Sequence, residues 1–196
     1  MITKINKSFK WVMSVSLFTF HFSLFTSCGD WNDHYEGGAE GGSALTLWQQ
    51  MKSDQQLSDF CQVLEQTKVF RMHKKTVVSY AEMLDGGQSF TVVAPVNGTF
   101  NRDSLLQLVQ TNQGDSVVEK FFVLNHISRS TTSIRDNSDK MLMLNAKNMT
   151  ATSASAIEGV NLQKTNIHAS NGVLHVAERP LPYQYNLYGV SGNPVW

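Results

Sequence analysis

From residue 44 onward, apolar positions recur with a helical period. Ala44, Leu47, Trp48 and Met51 fall on one face, with Ser43 placed to cap the helix they predict. Asp54 opens a second helix running to about residue 68, whose buried face is Leu57, Phe60, Cys61 and Leu64. Val77, Tyr80, Ala81 and Leu84 repeat the spacing in a third helix, closed by Gly86-Gly87. The period then changes to two over residues 89–94. Phe90, Val92 and Ala94 point one way, and Pro95 ends that strand. Two further helices are predicted near 103–110 and 115–125, with Asp103 and Asp115 as caps that complement the helix dipoles. Beyond His126 the chain is Ser/Thr/Asn-rich and strand-like at 127–130, 140–144, 149–153 and 160–164. Residues 165–177 read as a hairpin turning at Asn171-Gly172, the favoured pair for a type I′ turn. Helices early and short strands late predict an α+β fold, its sheet or sandwich completed by segments distant in sequence.

Residues 1–43 have a different texture. Lys4, Lys7 and Lys10 precede an apolar run over 11–26, shorter than the roughly 20 residues a spanning helix needs. This is the pattern of a secretory signal. It ends in Phe25-Thr26-Ser27-Cys28, which resembles a bacterial lipobox, where cleavage precedes the cysteine and the thiol receives a lipid; a plain secreted chain is the alternative. With Cys28 so used, Cys61 alone remains, and its place on a helical face reads as a small buried hydrophobe.

Charge excludes one class of partner. The 16 basic and 16 acidic residues balance, so nothing calls for nucleic acid. Losing the three leader lysines and no acids leaves a net charge of −3. Asp30, Asp33 and Glu36 directly after Cys28 resemble the export signal of Bacteroidetes-type surface lipoproteins, while the glycines of 37–42 also make a solvated tether.

Four stretches together resemble the fasciclin (FAS1) family. The first comprises Leu47-Trp48-Gln49-Gln50-Met51-Lys52 with Leu57-Ser58-Asp59-Phe60. The second is Phe90-Thr91-Val92-Val93-Ala94-Pro95-Val96-Asn97-Gly98-Thr99-Phe100. Phe122-Val123-Leu124-Asn125-His126-Ile127 is the third, and the closing signature runs over residues 166–182. The resemblance implies a wedge-shaped β-sandwich with helices packed against it, extracellular adhesion, and no catalysis or cofactor. Its motif positions here are Thr91, Ala94, Pro95, Asn97, Phe100, His126, Asn171, Gly172 and His175. A Tyr-His pair used in adhesion arguments for the family is Asn125-His126 here, so that activity is not carried over.

The expected organisation is a signal peptide at 1–27, a tether at 28–43, a FAS1-like domain at 44–182 and an aromatic tail at 183–196. The expected location is the outer membrane, held by lipid at Cys28 and facing outward. The expected partner is an extracellular protein, matrix or glycan. No Gly-x-Ser-x-Gly, His-Glu-x-x-His, phosphate-loop or Cys-x-x-Cys motif argues for an enzyme. A strict two-residue turn at Asn171-Gly172 would set His168 opposite His175, but a zinc site needs further ligands and His175 reads better as a hydrogen-bonded core residue. Tyr183, Tyr185, Tyr188 and Trp196 form either a stacking platform for sugars or a tail that packs back on the domain or joins a following one.

Overall fold

Thr46, not Ser43, starts the first helix. In the computed structural model, which describes residues 43–111, 113–183, 185–187 and 190–192, Thr46 is extended and its hydroxyl accepts the Gln49 N–H. Gln49 returns the bond to the Thr46 N–H, so α1 (Leu47–Ser53) opens with a capping box. Leu47 and Met51 are fully buried, whereas Ala44 stays exposed. Asp54 caps a short 3₁₀ turn at Gln55–Leu57, and α2 (Ser58–Gln66) follows. Its expected face is buried throughout: Phe60, Cys61 and Leu64, with Leu57 from the turn.

The expected third helix begins too early. β1 (Lys68–Arg71) and β2 (Lys74–Ser79) pair antiparallel, leaving Val77 87% exposed on a strand. Met72 and His73 make the turn with φ of +50° and +62°, a left-handed backbone without Gly or Asn. α3 (Tyr80–Asp85) starts only where Ser79 accepts the Glu82 N–H and Glu82 returns the bond. Val77 had the right spacing for the helical face, but the capping box lies after it.

β3 (Phe90–Pro95) is buried along its whole length. Phe90, Val92 and Ala94 face the helices, as their alternation predicts, while Val93 joins a second core. α4 (Arg102–Val109) is capped by Asn101 and α5 (Gly114–Phe121) has no side-chain cap. Asp103 and Asp115 therefore sit inside the first turns, not at the caps. There Asp103 pairs with Arg102 and Asp115 with Lys75. A 3₁₀ turn at Val123–Asn125 leads into β4 (Ile127–Ser128).

Five more strands complete the main sheet: β5 (Lys140–Leu142), β6 (Asn148–Ser153), β7 (Ala156–Ile157), β8 (Val160–Ala169) and β9 (Gly172–Ala177). Their order is β4-β3-β9-β8-β7-β6-β5, with β3 and β9 parallel and the other pairs antiparallel. A bridge from Ser128 to Met143, with the Leu144 N–H donating to the Ile127 carbonyl, brings the two ends together. The sheet thus curls on itself and encloses Met141, Met149, Ile157 and Val160, while the helices cover β3 and β9 on the other side. This is the α+β class expected, joined by strands about 80 residues apart in sequence. Separately, β10 (Tyr185–Leu187) pairs with β11 (Val190–Gly192).

The turn of the last hairpin lies one residue earlier than expected, so each cross-strand partner moves by two. Ala169 faces Gly172, Ile167 faces Leu174, and His168 faces Val173 in place of His175. Gly172 is drawn into the parallel pairing with Phe90, where a Cβ would stand 1.9 Å from the Phe90 carbonyl oxygen. Ser170 and Asn171 make the turn, and neither has positive φ. His168 is exposed opposite Val173 while His175 lies in the core, so the two imidazoles are not paired.

Candidate binding site

Each described motif residue is tied into the scaffold. The buried Asn171 side chain accepts the Leu47 N–H at 2.7 Å and donates to the carbonyls of Leu84 and Gly86 at 2.8 and 2.6 Å. It thereby latches the α1 start to the α3 end. Asn97 gives α2 the cap that its own Leu57 cannot supply: its Oδ1 accepts the Asp59 N–H and its Nδ2 donates to the Gln55 carbonyl and the Ser58 hydroxyl. Phe100 packs its ring 5.1 Å from Phe122. Ala94 and Pro95 are buried opposite Val176 and Ala177 on β9.

Thr91 and His175 pin the loop after β4. The Thr91 hydroxyl donates to the Ser130 carbonyl at 2.5 Å and accepts the Thr132 N–H at 2.8 Å. His175 Nδ1 accepts the Asn166 N–H, so Nε2 carries the proton and donates to the Thr132 carbonyl at 3.1 Å. Burial lowers the His175 pKa, which keeps the ring neutral.

His126 and Asn125 act on one residue. His126 Nδ1 donates to the Phe122 carbonyl at 2.8 Å, and Nε2 accepts the Leu181 N–H at 3.0 Å. Asn125 Nδ2 donates to the Leu181 carbonyl at 3.0 Å. Burial drives the His126 pKa down to about 4. The pair is a clamp on the chain after β9, with its polar atoms engaged inside the protein. Next to it Tyr183 packs edge-on against Phe121 at 4.9 Å, with Lys147 Nζ 3.6 Å above its ring. Tyr183 thus packs back on the domain; Tyr188, Trp196, the Tyr185 side chain and Cys28 with residues 28–42 lie outside what is described.

The chemistry not spent on the scaffold lies between the β1–β2 hairpin, α3 and α5. A cavity of about 650 Å³ opens there, within the range usual for ligand pockets. At one wall Glu119 Oε1 accepts the Tyr80 hydroxyl at 2.5 Å and the Phe70 N–H at 2.8 Å. Burial raises the Glu119 pKa, and burial followed by the Glu119 bond raises that of the Tyr80 phenol. Arg71 and Arg129 also line the cavity, and among the described residues neither makes an ion pair. Met72, Met83, Leu124 and Leu144 supply apolar lining. Sequence reasoning passed over this group, because the run Arg71-Met72-His73-Lys74-Lys75 carried the only signal, a local excess of positive charge.

The family model described as "Fasciclin domain" matches residues 55–183, about two thirds of the sequence. The chain belongs to the fasciclin family. Fasciclin domains are associated with cell adhesion and binding. No curated protein matches the chain. Among solved structures it is similar to a FAS1 domain pair from the insect cell adhesion molecule Fasciclin I. The two are 15% identical with a TM-score of 0.49, over 70% of this chain and 50% of that one. This fasciclin chain therefore spans about half the length of the structure it matches.

Proposed function

We propose that this fasciclin protein is a lipid-anchored adhesion module of the cell surface that binds an extracellular protein or matrix and performs no catalysis. One observation carries the reading: the β1–β2 hairpin exposes Met72 and Val77 at 93% and 87%, beside the exposed Arg71, His73, Lys74 and Lys75. Exposed apolar side chains ringed by cations suit a partner with an acidic, partly apolar surface. The scaffold supports this division of labour, since the motif side chains Asn97, His126 and Asn171 are already hydrogen-bonded internally. Cys28, in its lipobox-like setting, is the anchor, and residues 28–43 are the tether to the outer face of the outer membrane.

Binding of the unlipidated Cys28→Ser chain to immobilised matrix proteins tests the surface, in parallel with a glycan array. Binding to protein that falls about tenfold in Met72→Ser/Val77→Ser is the expected result. Binding confined to glycans would transfer the protein to the alternative, an accessory of a polysaccharide-uptake complex. Incorporation of labelled palmitate into the wild type and none into Cys28→Ser is expected for the anchor.

A further inference from the structure

We propose that the cavity beneath the β1–β2 hairpin is a binding site for a small amphipathic carboxylate, an aliphatic or aryl acid whose charged end meets Arg71 and Arg129 and whose apolar body lies against Met83, Leu124 and Leu144. The site shares Arg71 and Met72 with the adhesion surface, but it takes a small molecule, and its test reads decanoate binding, which does not depend on a protein partner.

Three observations point to that class. First, two guanidinium groups line one cavity without an ion-pair partner among the described residues, whereas Arg102 and Arg179 each lie beside an acid. Guanidinium groups favour planar oxyanions, which they bind through paired N–H donors. Second, the rest of the lining does not suit a fully polar ligand. Val69, Met72, Met83, Phe90, Leu124 and Leu144 stand there beside the polar Gln88, Ser89 and Glu119, and methionine adapts to varied apolar shapes. Phe70, the aromatic ring there that is neither buried nor engaged like Tyr80, is only partly exposed, so no open stacking face for a sugar is offered. Third, the hairpin that walls the cavity breaks the local turn rule. Met72 and His73 hold left-handed backbone at a cost of about 1–2 kcal/mol each, where Asn-Gly would relieve it. Such strain collects where a side chain is needed for something other than folding, and Met72 itself lines the cavity.

Glu119 narrows the choice further. Its Oε1 already accepts two hydrogen bonds, which leaves little pull for a cationic ligand, and two arginines oppose one. A dianion such as a phosphate monoester would meet about twice the repulsion from the Glu119 carboxyl that a monoanion meets. A monoanion with an apolar body satisfies both ends. At about 650 Å³ the space holds an acid of roughly ten to twenty heavy atoms.

The test is calorimetric titration of the Cys28→Ser chain with decanoate, decanol and glucuronate. Decanoate should bind and raise the melting temperature, and decanol and glucuronate should each bind at least about tenfold more weakly. Arg71→Ala/Arg129→Ala, both at the surface, should melt at the wild-type temperature without ligand and bring decanoate down to the decanol level. Met83→Trp, which fills the cavity from its wall, should abolish decanoate binding while Arg102→Ala, away from it, leaves binding intact. Absence of decanoate binding to the wild type, equal affinity for decanoate and decanol, or full binding by the double arginine variant would each overturn the proposal. Glucuronate binding as tight as decanoate would overturn it as well, by removing the need for an apolar body.

Discussion

Asn171→Ala should be among the most destabilising single changes in this protein that leave its apolar core intact. The side chain makes three hydrogen bonds, at 2.6–2.8 Å, and sits 6% exposed between α1 and the end of α3. Truncation strands the Leu47 N–H and the Leu84 carbonyl in the interior, while the Gly86 carbonyl is near enough to solvent to be hydrated. Each stranded buried group costs about 1–3 kcal/mol, so the two together should cost about 2–6 kcal/mol, with the vacated space adding to that. That is a large share of the 5–15 kcal/mol typical of a domain's whole stability. In urea unfolding followed by circular dichroism, with a slope of about 2 kcal/mol per molar, the midpoint should fall by roughly 1–3 M. Asn171→Asp separates the roles, since it keeps the acceptor for Leu47 but sets a carboxylate against two carbonyl oxygens. It should be at least as destabilising as the alanine variant. A loss under about 1 kcal/mol for alanine, or wild-type stability for aspartate, would refute the latch.

Other expectations follow from the same wiring. Acid should weaken the fold through His126, whose pKa is about 4 folded against 6.5 unfolded: between those values the unfolded chain binds more protons, so stability is complete above pH 6.5 and falls by up to about 3 kcal/mol toward pH 4. His175 is lowered too and adds in the same sense, so His126→Asn should flatten the pH dependence of the urea midpoint only in part. Cys61, which burial pushes up to about 12, should resist a thiol reagent at pH 8 in the native protein and react fully in denaturant. Gly172→Ala should cost more than about 3 kcal/mol or prevent folding, because the new Cβ would meet the Phe90 carbonyl at 1.9 Å and Leu47 Cδ1 at 2.8 Å; near-wild-type melting would contradict the close β3–β9 approach.

Much of this fold is legible wherever one physical demand acts on a residue at a time. The face Leu57, Phe60, Cys61, Leu64 and the alternation Phe90, Val92, Ala94 each answer to burial alone, and both are found where their periods put them. Reading fails where two demands compete. Asn171-Gly172 carries the strongest local signal for a two-residue turn, yet Gly172 is required beside Phe90 and Asn171 is required by three backbone groups over 80 residues away or more. Long-range partners win, the turn moves back one residue, and the register moves with it. Val77 is the opposite case, a residue at helical spacing from Tyr80 that belongs to a strand because Ser79 and Glu82 start the helix after it. The capping pairs Thr46-x-x-Gln49 and Ser79-x-x-Glu82 were readable markers of both boundaries.

The candidate site was illegible for a deeper reason. Arg71, Glu119 and Arg129 come from a hairpin, a helix and the loop after β4, and no spacing in the chain relates them. The family resemblance did not help, since it leads to Asn97, His126, Asn171 and His175, whose hydrogen bonds all go to the protein's own backbone or side chains. That separation has a consequence for how such a domain acquires partners. Residues 68–79 and 129 contribute exposed charge and apolar surface, and among the described residues the side chains of Thr76, Ser79 and Lys75 are the ones of this group that make bonds or pairs. On the proposed reading, substitutions among the exposed side chains of the hairpin would change what the domain can bind at little cost to the fold, whereas substitutions at Asn97, His126, Asn171 and His175 would act on the fold. On the proposed reading a partner would be encoded in the hairpin and the cavity behind it, away from Asn97, His126, Asn171 and His175.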